Sequence, residues 1–131
     1  MDGATLSRPE LRAHEHAMRV SFDMAVTQLR ELLTPRLVAF LAGVRETRAV
    51  HEWADGVRDV RSPIVEDRLR FALQVALLLA DHDDRRVVQA WFQGLNPHLG
   101  DQSPARLLRE GDLGEVGPSV MAAARAFLVG G

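Results

Sequence analysis

TPRLVAFLAGVRETRAVHEWADG, residues 34–56, spaces its apolar side chains as two short helices joined by a tight turn and closed by a glycine. Thr34 suits a helix N-cap through its side-chain oxygen, and Pro35 fits the first helical position, where a missing N–H costs nothing. Leu37, Val38, Phe40, Leu41 and Val44 form one apolar stripe, and Gly43 supplies the permissive backbone of a close helix-to-helix connection. Thr47 is the expected cap of the second helix. Val50 and Trp53 then point inward, Arg48, His51 and Glu52 outward, and Gly56 ends the helix in the left-handed conformation. Such a unit holds its second helix out for contact, so the stretch points to a DNA binder or a descendant of one.

In the usual helix-turn-helix spacing about four residues separate the apolar residue after the turn glycine from the next buried position, whereas Arg45 to Ala49 makes five. Either the turn is longer, or Val44 takes the glycine's place in the packing. The residues expected to face DNA are Arg45, Thr47, Arg48 and His51, because the first turn of a recognition helix reaches base edges and Arg bonds guanine twice. Glu46, Glu52 and Asp55 stand among them and repel phosphate.

A chain of 131 residues suffices for one domain, or for two small ones sharing a core. Apolar residues make up 47% and charged residues 26%, the balance of a globular protein rather than a disordered one. No cysteine is present, which excludes a disulfide frame and a thiolate metal site and makes the cytoplasm the simplest home. The opening MDGATLSRPEL lacks the order of a signal peptide, and no apolar run is long enough to span a membrane. Every basic residue is Arg, Tyr is absent and Ile64 is the only Ile, a bias that suggests a GC-rich bacterial genome. A net charge of −2 argues against a broad nucleic-acid surface, so DNA binding has to rest on a local arginine cluster, doubled by dimerisation.

Four steps of a capping or flexible residue before proline, Thr34-Pro35, Ser62-Pro63, Ser103-Pro104 and Gly117-Pro118, mark four helix starts. Period-two alternation is nearly absent, so the expected fold is all-α, a compact helical bundle. A long N-terminal helix is expected over 9–33, with Met18, Phe22, Ala25, Leu29 and Leu32 as a stripe that either packs on its own chain or forms a homodimer seam. Residues 64–80 read as a central helix apolar on almost every side, interrupted by Gln74. The acidic turn Asp81-His82-Asp83-Asp84 ends in a helix cap; with no second cluster at helical spacing it is not read as a metal site. Val87, Val88, Trp91 and Phe92 follow on a helix stopped by Gly94, then an Asn96-Pro97 loop, a short helix over 105–110 ended by Gly111, and a last helix over 118–129.

The segment QAWFQGLNPHLGDQSPARLLREGD resembles the C-terminal toxin-binding domain of the Xre/MbcA/ParS-type antitoxins, in which a Trp-bearing helix leads through an Asn-Pro loop to a Ser-Pro-x-x-Leu-Leu helix and a glycine. The matching positions are Trp91, Asn96, Pro97, Leu99, Ser103, Pro104, Leu107, Leu108 and Gly111, and the helix-turn-helix-like stretch stands where that family has its Xre-like domain. The resemblance covers roughly residues 34–131. It implies an all-helical, often dimeric protein that binds and silences a toxin encoded beside it, in many pairs a RES-domain enzyme that consumes NAD, and whose complex can repress its own promoter. It divides the chain into an N-terminal helix over 1–33, a helix-turn-helix-like unit over 34–61 and a toxin-binding helical domain over 62–131.

Trp53, Trp91, Asn96-Pro97, Ser103-Pro104, Leu107-Leu108 and Gly111 read as architecture: the aromatics bury a large area, the loop residues fix turns and the leucines seal a short helix. Toxin contact is expected on the last helix and tail, at Arg125, Phe127, Leu128, Val129, Gly130 and Gly131, where small and apolar residues can enter a cleft. The competing reading is a stand-alone helix-turn-helix transcription regulator with no toxin. An enzyme is not expected: His14, His16, His51, His82 and His98 are scattered, no serine sits in a nucleophile elbow, and neither catalytic residues, a cofactor nor a metal is assigned.

Overall fold

A computed structural model describes residues 7–130, as eight α-helices with no strand among them. The helices are α1 (Arg8–Arg19), α2 (Phe22–Leu33), α3 (Pro35–Ala42), α4 (Thr47–Ala54), α5 (Pro63–Ala80), α6 (Arg85–Gln93), α7 (Pro104–Glu110) and α8 (Leu113–Leu128), with a 3-10 turn at Pro97–Leu99 between α6 and α7. α5 is the axle. It packs against α1, α2, α3, α6, α7 and α8, and Leu69, Ala72, Leu73, Val75, Ala76, Leu78 and Leu79 are buried along it. Each large side chain among them contributes about 1.5–3 kcal/mol by leaving water. The buried residues of all eight helices join one hydrophobic cluster. Gln74, the polar interruption of α5, is half-buried and pairs with His14 Nδ1 at 3.2 Å.

Local signals explain most of the helix starts. The side-chain oxygens of Ser7, Ser21, Thr34, Ser62, Asp84 and Ser103 each accept a backbone N–H from the first turn that follows. Thr34 alone forms the corner between α2 and α3 and does so at φ 95, a conformation that is strained for a β-branched residue by about 1–3 kcal/mol and is partly offset by its cap to Leu37 N.

Three expectations are corrected. The single helix over 9–33 is two, because Val20 turns extended and Ser21 caps a new helix through Met24 N; Arg70 Nη1 takes up the freed carbonyls of Ala17 and Val20 at 2.9 and 2.7 Å. Within that stripe Ala25 and Leu29 are wholly buried in their own chain, so they cannot serve as a seam between copies, while Met18 is largely exposed. The last helix starts not at Pro118 but at Leu113, where Asp112 O accepts from Glu115 and Val116 N. Pro118 lies inside it and forfeits only the bond to the Gly114 carbonyl. Thr47 is not a cap either: Glu46 holds that place without a side-chain bond, and Thr47 is the first residue of α4.

The corner between α7 and α8 depends on Gly111 for room rather than for φ. A Cβ there would lie 2.5 Å from Val116 Cγ1 and 2.8 Å from the Leu107 carbonyl oxygen. Two arginines close the C-terminal end of α3: Arg68 Nη1 donates to Leu41 O at 2.9 Å and Arg109 Nη1 to Phe40 O at 2.8 Å. Burial, and secondarily the charge of Arg109, lowers the Arg68 pKa.

Candidate functional surfaces

The first surface is built by α3, its turn and α4. α3 ends at Ala42, Gly43 adopts φ 80, and α4 begins at Thr47, so the connection is the longer of the two alternatives, with Val44 half-buried against the core. α4 rests on α2 and α3 through Ala49, Val50 and Trp53; the Trp53 ring meets Phe22 edge-on at 5.9 Å. Burying that side turns Arg48, His51 and Asp55 to solvent. Thr47, Arg48 and His51 line one shallow groove together with Arg36, Glu46, Glu52 and Asp55, while Arg45 is exposed in the turn and is not part of the lining.

That groove is internally compensated. Glu52 accepts from Arg48 Nε at 3.1 Å and from Arg58 Nη1 at 3.2 Å, and the Arg48 bond is the leading reason its carboxyl sits below its ordinary pKa. Arg30 Nη1 lies 2.9 Å from His51 Nδ1; a guanidinium can only donate, so Nδ1 accepts and the ring proton is on Nε2. Arg30, Arg36 and Arg58 were not among the residues singled out in the sequence. The Arg48 to Glu52 spacing of one helical turn was the available signal.

The second surface lies where the α6–α7 loop meets the end of α8. Asn96 organises the loop: Oδ1 accepts from His98 N at 2.9 Å, its carbonyl accepts from Leu99 and Asp101 N, and its N–H donates to Gln102 O. This holds Leu95, Pro97 and His98 around a small cleft of about 220 Å³ whose other walls are Trp91, Ala123 and Phe127. Trp91, Asn96 and Pro97 are thereby brought together with Phe127. Trp91 is 8% exposed, packs edge-on against Phe92, and its indole N–H has no partner among the described residues. Leu95, in the cleft lining, is 76% exposed, and Val129 just beyond α8 is 85% exposed. Leu95 carries no periodic signal in the sequence and was missed.

The remaining tail residues are spread out. Arg125 forms an ion pair with Glu10 of α1 (Nη2 to Oε1, 2.8 Å), Leu128 is half-buried, and Gly130 has φ 88; Gly131 lies outside the described residues. Of the architectural set, Pro104 and Leu108 are buried and Leu107 half-buried, Ser103 caps α7 through Arg106 N, and Pro97 is exposed. His14 and His16 diverge onto separate helices, His14 to Gln74 of α5 and His16 Nε2 to Gln28 of α2 at 2.7 Å. Among the described residues no three His, Asp or Glu converge as metal ligands, and no helix is long and apolar enough to cross a membrane. Comparison of the chain with protein-family models, with curated proteins and with solved structures gives no match.

Proposed function

We propose that this chain is an antitoxin-like protein that binds and neutralises a partner toxin through the cleft between the α6–α7 loop and the end of α8. The observation that carries the reading is the juxtaposition of exposed Leu95 and Phe127 around a cleft lined by Trp91, Asn96 and Pro97. An exposed apolar rim around a small cleft suits a partner segment that inserts an apolar side chain. The resemblance of residues 91–111 to the Xre/MbcA/ParS-type toxin-binding domain supplies the partner class, a RES-domain enzyme that consumes NAD. Co-expression with the product of the neighbouring gene tests it. Wild type is expected to co-purify with that product and relieve its toxicity, and Leu95→Asp with Phe127→Asp to lose both effects; a double variant that binds as wild type does refutes the assigned surface.

A second reading is favoured by the presentation of α4 on α2 and α3: a helix-turn-helix regulator that contacts DNA through Arg45, Thr47, Arg48 and His51, alone or as autorepression by the toxin complex. Titration of a duplex from the protein's own upstream region at two salt concentrations tests this. Phosphate contact requires affinity to fall as salt rises, and no binding at low salt dismisses it.

A further inference from the structure

We infer that the corner at Thr34 is a strained hinge, and that two copies of this chain relieve it by exchanging their α1–α2 arms, residues 7–33, in a domain-swapped dimer. α2 ends at Leu33 and α3 begins at Pro35, so Thr34 is the whole connection between them. Its φ of 95 with ψ 150 lies in a region adopted almost solely by glycine. The other caps that directly precede a proline are ordinary: Ser62 has φ −101 and ψ 115, and Ser103 has φ −77 and ψ 145. At Thr34, therefore, only φ is out of place. Turning its N–Cα bond to a negative φ leaves ψ, α3 and the bond from Leu37 N to Thr34 Oγ1 as they are, and gives the extended conformation that suits a residue before proline. What that rotation moves is the arm.

A lone chain cannot make this turn. Ala17 of α1 and Ala25, Val26, Leu29 and Leu33 of α2 have no exposed surface, and an arm that swings away exposes them all. In a pair of copies each arm enters the place that the other arm has left. Arg70 of one copy then takes the Ala17 and Val20 carbonyls of the other, Gln89 takes the Leu32 carbonyl, and His51 meets Arg30. Ala25 and Leu29 are buried as they are in the single chain, so the exchange uses the contacts already described and no additional seam.

The dimer accordingly differs from two monomers in its two relaxed hinges, and a short connection under strain is the arrangement that favours exchange. The corner is also accessible. Thr34 borders a cleft with Arg36, Phe40 and Gln93, all three exposed, so no element of the chain covers the place where two bodies have to meet. The exchange is independent of the toxin-binding reading, because the α8 cleft contains no residue of the arm or the hinge.

The experiment mixes equal amounts of ¹³C-labelled and unlabelled full chain, unfolds them together in guanidinium and refolds them at about 1 mM, where strain at both hinges lets a second copy compete with the chain's own arm. Size exclusion with light scattering isolates the dimer, and isotope-filtered NOE spectra read contacts between copies. A dimer is expected in which the Phe22 ring of one copy touches the Trp53 ring of the other, the contact that joins arm to body at 5.9 Å between centroids. Thr34→Gly, at ease with this φ and nearly neutral as a cap, should weaken dimerisation at least about 30-fold. Thr34→Ala keeps the Cβ and loses the cap in both forms alike, so it should dimerise within about threefold of wild type. No dimer at about 1 mM, a dimer without the Phe22–Trp53 contact between copies, or a Thr34→Gly dimer as stable as that of the wild type overturns the inference.

Discussion

Replacing Arg70 by methionine should loosen the end of α1 from the bundle, because its guanidinium satisfies two carbonyls at the close of that helix. The only buried residues of α1 are Ala13 and Ala17, whose two methyl groups contribute together about 1.5 kcal/mol at roughly 0.8 kcal/mol per buried carbon. Arg70, its side chain only 13% exposed, donates Nη1 to Ala17 O and Val20 O and Nε to Glu66 Oε2 at 2.9 Å. Three hydrogen bonds to a charged group at about 1.5 kcal/mol each would give about 4.5 kcal/mol. Carbonyls at a helix end and a partly exposed Glu66 regain water when the arginine is removed, so a loss of about 2–3 kcal/mol is the expected net value. That corresponds to about a 30- to 150-fold loss of hydrogen-exchange protection for the α1 amides. The melting temperature should fall by roughly 10 °C. Methionine keeps the apolar stem, so the change isolates the guanidinium; Arg70→Lys, which keeps charge but not the forked geometry, should recover only part. Unchanged α1 exchange together with an unchanged denaturation midpoint would refute the reasoning and leave α1 held by its packing on α5.

Gly111→Ala should cost about 2 kcal/mol, since the added Cβ meets both a side chain and a backbone oxygen, and thermal denaturation should show it as a lower midpoint. Glu52→Gln releases Arg48 and Arg58; if α4 contacts DNA, duplex affinity at low salt should rise about three- to tenfold, with a gain that shrinks as salt increases in a binding titration. Because Arg48 and then Arg58 depress the Glu52 pKa, the stability this carboxylate contributes is fully present above its ordinary value of 4.5 and is lost as pH falls through the lower folded-state value. Carbon-detected NMR titration should find its midpoint below 4.5, and Arg48→Ala should move that midpoint upward.

The all-helical character was legible because serine–proline and threonine–proline steps act through covalent geometry and one local hydrogen bond, as at Thr34, Ser62 and Ser103. The same signal misled at Pro118. A proline early in a helix loses a single bond, so the helix tolerates what the sequence suggests as its beginning. Regular spacing across Met18 and Phe22 hid the break at Val20, whose freed carbonyls are satisfied by Arg70, some 50 residues away in sequence. At the surfaces, the coupling of Arg48 to Glu52 was readable from a spacing of four. The exposure of Leu95 and the Glu10–Arg125 pair depend on elements distant in sequence, and no local period encodes them.

α4 leans on α2 and α3 and is separated from α5 by a cleft, which makes it a peripheral appendage of the central axle. Its outward residues can therefore be rewritten during evolution, or by design, without disturbing the side chains that keep the centre folded. Among all the helices of this protein, it is the place where a new binding preference could be acquired with the least structural consequence elsewhere.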